Sequence, residues 1–297
     1  MKIMVTGALG YIGTELVYKL AQHKGNEIIA IDNSTEAIKH RLGFLLRYPN
    51  VRFINADVGN IKDINLLPKV DIIVHLAAIV GYISCNNNAN ETQRVNILGT
   101  ENIASLQTPT IFLSTGSVYG KIQNGTCNEE TKLNPQTLYA ETKAQGEEIL
   151  KQTSNVILRP ATAYGLSFKV RDDLLVHTLI KDAVIKKHIK LYQPHAKRSF
   201  YSVQKLVELI EYVCFNYNKF ENNILNVGCG SGNLIKEQIV EIISKYIDFN
   251  LDIVHGEDLD NRDYNVDYSL LEKLWPDYNE NFLLQIEKIT EYYKSCQ

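Results

Sequence analysis

Short apolar runs alternate with stretches of helical spacing through the first half of the chain. The runs Lys2–Thr6, Glu27–Ile31, Val51–Asn55, Ile72–Leu76, Thr110–Ser114 and Val156–Arg159 are rich in Ile and Val and are continuous rather than alternating. A strand with one wet face alternates polar and apolar residues, whereas a strand covered on both faces does not, so these runs predict a parallel sheet sandwiched by helices. Between them Thr14–His23, Val95–Ser105 and Tyr139–Gln152 carry helical spacing, which predicts right-handed βαβ crossovers. After about Arg159 the rhythm changes. Helical stretches (Leu174–Lys187, Val203–Asn216, Ile235–Ile247, Tyr278–Ser295) mix with short strands at Lys190–Tyr192 and Ile224–Val227, and no repeat, low-complexity linker or Pro/Gly-rich hinge intervenes. The expectation is an α/β chain: a doubly wound parallel sheet over 1–165, with some later segments returning to it, and a smaller interleaved lobe over 166–297.

Composition narrows the function classes. The 297 residues carry 31 basic and 34 acidic side chains, a net charge of -3, with no basic run. That leaves no electrostatic footprint for nucleic acid. Five scattered cysteines without CxxC spacing argue against a disulfide framework or zinc site. The seven histidines form no close HxH or HxxxH pair, so no metal is expected. The N-terminus runs at once into a glycine turn, and no apolar stretch reaches spanning length, so a cytoplasmic protein without membrane attachment is expected.

That turn, Thr6-Gly7-Ala8-Leu9-Gly10-Tyr11-Ile12-Gly13, follows the first strand and opens the first helix. Glycine serves where the backbone turns sharply and where a phosphate must approach main-chain N–H groups, and the helix N-terminus adds partial positive charge. Asp32 closes the second strand, where a carboxylate accepts hydrogen bonds from an adenosine ribose and repels a 2′-phosphate; Asn33, rather than an arginine, follows. NAD is therefore expected over NADP, on Gly7, Gly10, Tyr11, Ile12, Gly13, Asp32 and Asn33.

With this GxxGxxG spacing the chain resembles the extended short-chain dehydrogenase/reductases, the NAD-dependent nucleotide-sugar epimerase/dehydratase group, and further landmarks follow in that family's order. These are Ala56-Asp57-Val58, His75-Leu76-Ala77-Ala78, Asn96 within Val95–Thr100, Ser114-Thr115-Gly116-Ser117-Val118-Tyr119-Gly120, and Arg159-Pro160-Ala161-Thr162-Ala163-Tyr164-Gly165. The resemblance covers essentially the whole chain. It implies a Rossmann-type fold and adds Asp57, Val58, Leu76, Ala77, Ala78, Asn96 and Pro160 to the cofactor contacts. His75, in an apolar strand, reads as a hydrogen-bonded structural residue.

Tyr139-Ala140-Glu141-Thr142-Lys143 sets a phenol and an ammonium four residues apart on one helix face. Hydride removal from a carbinol needs a base for the hydroxyl proton. A free tyrosine, with pKa near ~10, is a poor one until a neighbouring cation stabilises its phenolate. Tyr139 and Lys143 are the expected catalytic pair, and both also belong to the cofactor site. Thr115 is the expected third member, hydrogen-bonding the reacting oxygen, with Ser117 as a secondary substrate contact; strand alternation turns Ser114 to the opposite face.

The resemblance also bears on the reaction. Sugar 4,6-dehydratases of the family carry an acid two places after the threonine, some also directly after it, and decarboxylating relatives keep one there; here Gly116 and Ser117 stand instead. A nucleotide-sugar 4-epimerase is therefore the leading expectation. A 4-dehydrogenase or ketoreductase with net redox change is the alternative, and a cofactor-binding regulator without catalysis a third. For the nucleoside-diphosphate sugar, the resemblance implies Arg198 and Arg262 on the diphosphate and His177 where the family usually has asparagine. It further implies Tyr192 near the base and Tyr82 as a wall of the sugar site. It implies a homodimer paired through the helix bearing Tyr139.

Overall fold

A computed structural model describes residues 1–33, 39–151, 154–254 and 263–297. In chain order the strands are β1 (Lys2–Thr6), β2 (Glu27–Asp32), β3 (Val51–Asn55), β4 (Ile72–His75), β5 (Thr110–Leu113), β6 (Lys121–Cys127) and β7 (Val156–Pro160). They continue with β8 (Thr162–Tyr164), β9 (His188–Tyr192), β10 (Lys197–Ser202), β11 (Ile224–Val227), β12 (Asn233–Ile235), β13 (Asn250–Val254) and β14 (Asp263–Val266). Seven of them form one parallel sheet in the order β11-β7-β5-β4-β1-β2-β3. This is the expected doubly wound architecture, with its switch point between β1 and β4, where ligands bind beyond the carboxyl ends of the strands.

The strands that read as continuous apolar runs are buried on both faces except at the edge strand β3, where Arg52 and Asn55 are exposed. β1, β3 and β11 coincide with the expected ranges, and the other large-sheet strands differ by one residue at an end. The largest core unites Ile3, Val5 and Val74 of the first half with Leu206, Leu209, Ile210, Leu225 and Val227 of the second, because helix Val203–Phe215 packs on helix Tyr11–Ala21. A separate core joins Tyr164, Ile180, Ile189, Phe200, Ile239 and Ile286. The smaller sheets are β12-β10-β8, β13-β9 and β14-β6.

Two expected helices begin or end in π turns. Arg94–Leu98 precedes the α-helix Gly99–Ala104, and Asp182–Lys186 follows Leu175–Lys181. Among the described residues no helix is long and apolar enough to cross a membrane.

Candidate active site

The sheet register builds the site. Thr6 pairs with both Ile31 and His75, so Gly7, Asp32 and Leu76 emerge side by side at the carboxyl edge. Gly7 has φ +67°, and a Cβ there would lie 2.8 Å from the Ala77 nitrogen; a Cβ on Gly13 would lie 2.1 Å from the Gly7 carbonyl oxygen. Neither position accepts a side chain, and the two glycines leave a backbone cradle at the start of the helix. The cradle is held from the strand side: Leu9 N–H donates to Asp32 Oδ2 (2.9 Å), and Arg41 Nε donates to the Leu9 carbonyl (2.7 Å). Burial raises the Asp32 pKa, opposed by the Leu9 N–H and the Arg41 charge. Turn amides for a diphosphate beside a carboxylate for a ribose fit a dinucleotide.

A cleft of about 310 Å³ opens there. Its walls include fourteen expected residues: Gly7, Gly10, Tyr11, Ile12, Gly13, Asp32, Asn33, Asp57, Val58, Leu76, Ala77, Ala78, Tyr139 and Lys143. Cofactor cradle and catalytic helix therefore face one space. The cleft is also lined by Ile79 and Val80, from the stretch expected beside the sugar, and by Glu91, Lys169 and Arg171, for which no site role was expected.

Thr137 caps the helix Leu138–Leu150, its hydroxyl accepting from Ala140 N–H (3.2 Å), which sets Tyr139 in the first turn and Lys143 one turn on. Lys143 is 3% exposed, with Nζ 4.3 Å from the Phe112 ring centroid. Burial lowers its pKa to about 7, opposed by the charge of Glu147 and by Cys85. Thr115 follows β5, two residues beyond Leu113 of the cleft wall, and like Ser117 is outside the lining; its Oγ1 accepts from Ser117 N–H (3.2 Å) and donates to Ser117 Oγ (3.2 Å). Ser114 does face the other way, and its hydroxyl donates to Glu147. Glu147, 1% exposed, also receives Arg159 through Nε (3.0 and 3.1 Å) and Nη2 (2.6 Å), and Arg159 reaches on to the Tyr119 hydroxyl (3.0 Å). One buried carboxylate thus ties the strand end before Thr115 to the helix bearing Tyr139 and Lys143.

Several expected contacts occupy other places. Asn96 is buried under the cleft wall: it accepts from Ile79 N–H (2.8 Å) and donates to the Ile79 carbonyl and Thr142 Oγ1 (both 3.0 Å), so it shapes the wall without lining it. Pro160 is buried in β7, outside the lining. Asp57 lines the cleft, but its carboxylate is engaged by Arg94 Nη2 (2.6 Å) and Gly59 N–H (2.8 Å). His75 is structural, as expected. Thr100 donates to the Asn96 carbonyl and therefore accepts from Nε2–H, while Thr6, accepting from Ala77 N–H, donates to Nδ1. Burial pushes its pKa down to about 3, and the ring is neutral.

His177 departs from its expected place against the sugar. It is fully buried, with Nδ1 3.3 Å from the Tyr293 hydroxyl and Nε2 3.0 Å from the Gly165 carbonyl oxygen and 3.2 Å from the Gly165 nitrogen. A ring whose two nitrogens face inward cannot reach the cleft. Arg198 is 2% exposed within β10, with Nη1 donating to the Lys197 carbonyl (2.9 Å). Tyr192 is exposed at the end of β9, and Tyr82 opens the exposed side of helix Tyr82–Asn87. None of these three lines the described cleft. Arg262 lies outside the described residues.

Three similarities bear on identity. A UDP-glucose epimerase of Bacillus subtilis, described as uncharacterized, is 35% identical over 210 residues, 65% of either chain. UDP-glucuronic acid decarboxylase 6 of Arabidopsis thaliana is 30% identical over 70% of this chain and 64% of its own. The chain thus spans about two thirds of both relatives. The crystal structure of UDP-glucuronic acid 4-epimerase from Bacillus cereus, in complex with UDP-glucuronic acid and NAD, superposes with a TM-score of 0.88 over all of both chains at 23% identity. Residues 3–228 match a single family description, and the glycine cradle, Asp32 and the Tyr139–Lys143 helix all fall within them. The chain belongs to the NAD dependent epimerase/dehydratase family, and NAD is its cofactor.

Proposed function

We propose that the chain inverts C4 of a nucleoside-diphosphate sugar. The observation that carries this reading is that Tyr139 and Lys143 face the same cleft as the glycine cradle and Asp32, while Gly116 and Ser117 stand where an eliminating or decarboxylating relative carries acids. Tyr139 takes the C4 hydroxyl proton, helped by the Lys143 ammonium, which favours the phenolate over the phenol. Thr115 hydrogen-bonds the same oxygen as it becomes a carbonyl. NAD, held at the glycine cradle and Asp32, would supply the acceptor and donor for the C4 hydride. The 4-keto sugar then presents its other face, and Tyr139 gives the proton back. Both proton and hydride end where they began, so no net oxidation occurs.

UDP-glucose carrying deuterium at C4 tests this, incubated with the purified chain without added NAD. The expected product is the C4 epimer with the label retained on carbon, and Tyr139→Phe should form less than a hundredth as much. Stoichiometric NADH would favour the dehydrogenase reading, and loss of water from the sugar would sink epimerisation. UDP-glucuronic acid run alongside reports decarboxylation as loss of carbon dioxide.

The reading extends to a homodimer. The outer face of the Tyr139 helix and its neighbour forms an open groove with Ile97, Leu133, Ala144 and Ile149 on its walls, which suits a second copy. Light scattering at micromolar concentration should give twice the 33.7 kDa chain mass.

A further inference from the structure

We propose that the segment from Gly165 to Asp173 is a cofactor strap, which carries Lys169 and Arg171 along the cleft to hold the diphosphate of the bound dinucleotide. The inference rests on NAD occupying the cleft and is independent of which sugar is turned over. The segment leaves β8 at Gly165, whose φ of +109° lets the chain swing off the small sheet and over the large one.

It is fastened along its length to the helix that begins at the glycine cradle. The Tyr11 hydroxyl donates to the Gly165 carbonyl (2.7 Å), Ser167 Oγ donates to the Tyr11 carbonyl (2.7 Å), and Phe168 N–H donates to Glu15 (3.2 Å). The Phe168 ring packs 4.3 Å from Phe44 and 5.5 Å from Tyr18, centroid to centroid. At the far end Tyr293 holds the Asp172 carboxylate (2.7 Å) and Thr178 holds its carbonyl (2.8 Å). His177, against Gly165 and the Tyr293 hydroxyl, joins the two ends. These fastenings give the buried histidine a positioning role in place of sugar contact.

Between the fastenings Lys169 and Arg171 line the same cleft as Gly10–Gly13. Asp32, at the ribose end, and the Tyr139 phenol, at the catalytic end, line the same cleft as these two cations. In a dinucleotide the diphosphate lies between those two ends. The local charges leave room for an anion. Arg41, Lys169 and Arg171 gather beside Asp32 and Asp173; Arg171 is paired with Asp173 (2.6 Å), and Glu15 and Glu91 are engaged by Phe168 N–H and Arg94. Lys169 feels burial first and then the repulsion of both arginines, which lowers its pKa. A diphosphate relieves that repulsion, with the turn amides on one side and two cations on the other. The bonds to Tyr11 and Glu15 hold the strap, and with it both cations, against the cleft. That suits a reaction in which hydride goes out and comes back within one binding event.

Calorimetric titration of the stripped protein tests the strap, using NAD, ADP and adenosine against wild type, Lys169→Met, Arg171→Met and the double variant. Charged hydrogen bonds to phosphate lead us to expect a loss of roughly ten-fold per cation for NAD and ADP. Adenosine, which lacks the diphosphate, should stay within two-fold. Ser167→Ala, which undoes one fastening and keeps both cations, should speed NAD release several-fold in displacement by excess NADH. Unchanged NAD and ADP binding in the double variant overturns the strap. So does a fall in UDP binding to the NAD-loaded protein with NAD binding intact, since the cations then serve the other diphosphate. Failure of the wild-type chain to bind NAD overturns the cofactor reading together with it. Thermal unfolding of each variant confirms that the compared proteins are folded.

Discussion

Lys143 shows how one side chain couples stability to chemistry. Its pKa falls from 10.5 to about 7 because the amine is buried against Phe112, with Glu147 only partly offsetting the loss of water. Between those two values the unfolded chain holds the proton and the folded chain does not, so this group makes the fold more stable as pH rises from 7 towards 10.5 and least stable below 7. Lys143→Met removes a charge that is costly to bury. It should gain on wild type in thermal unfolding at pH 6, and the difference should shrink by pH 9.5; a difference independent of pH would show that the amine is not depressed. Turnover should move the opposite way, falling at least a hundred-fold at pH 7 with saturating NAD. The rising limb of its pH profile should shift up by a unit or more, because the Tyr139 phenolate has lost its cation. This pair was legible because four residues on a helix always share a face, whatever surrounds them. Lys169 and Arg171 were not legible: they reach the cleft through bonds to Tyr11 and Glu15, more than 150 positions away in the chain.

Among the elements, the continuous apolar strands inside the large sheet announce themselves because both faces are buried. The short strands do not. β12 has only intermediate burial and β13 is mostly exposed; their pairings, with β10 and β9, depend on partners remote in sequence. The π turn at Arg94–Leu98 takes the place of the first turn of the helix that periodicity reads over Val95–Ser105. It occurs where Val95 lines the cleft and Asn96 holds Ile79, in keeping with the tendency of such turns to mark functional sites. Within the contact between β5, β7 and the Tyr139 helix, beside the apolar cluster of Phe112, Ile157 and Leu150, the polar side chains Ser114, Arg159 and Glu147 meet in the interior. Glu147→Gln leaves the Arg159 guanidinium buried without its counter-charge and should cost about 3–5 kcal/mol in denaturant unfolding. Neutralising both, as Glu147→Gln with Arg159→Met, should recover part of that loss. If the single variant stays within about 1 kcal/mol of wild type, the pair is not the tie between strand end and helix that its geometry suggests.

For the whole molecule, the large sheet is completed from late in the chain. β11 pairs along β7 from Ile224 opposite Ile157 to Val227 opposite Pro160, and helix Val203–Phe215 supplies Leu206, Val207, Ile210 and Val213 to the core that also holds Ile3 and Val5. The change of rhythm after Arg159 is visible in the sequence, but which later segments return is not, because a four-residue apolar strand looks the same in either half. The consequence is physical: a fragment of residues 1–165 contains the glycine cradle, Asp32, Thr115, Tyr139 and Lys143, yet it lacks the edge that covers β7 and the helix that covers the first helix. It exposes an unpaired strand edge beside a bare apolar face, the combination that drives aggregation. We expect that fragment to show helical far-ultraviolet dichroism without a cooperative thermal transition, to bind a hydrophobic dye, and to bind NAD far more weakly than the whole chain. A fragment ending at residue 228 restores both β11 and the covering helix, with the strap bonded to Tyr11 and Glu15 but not to Tyr293, and should regain cooperativity and part of the NAD affinity. Cooperative unfolding of the 1–165 fragment, with slow amide exchange in β7, would show that the nucleotide-binding half stands alone and that the late strand and helix only decorate it.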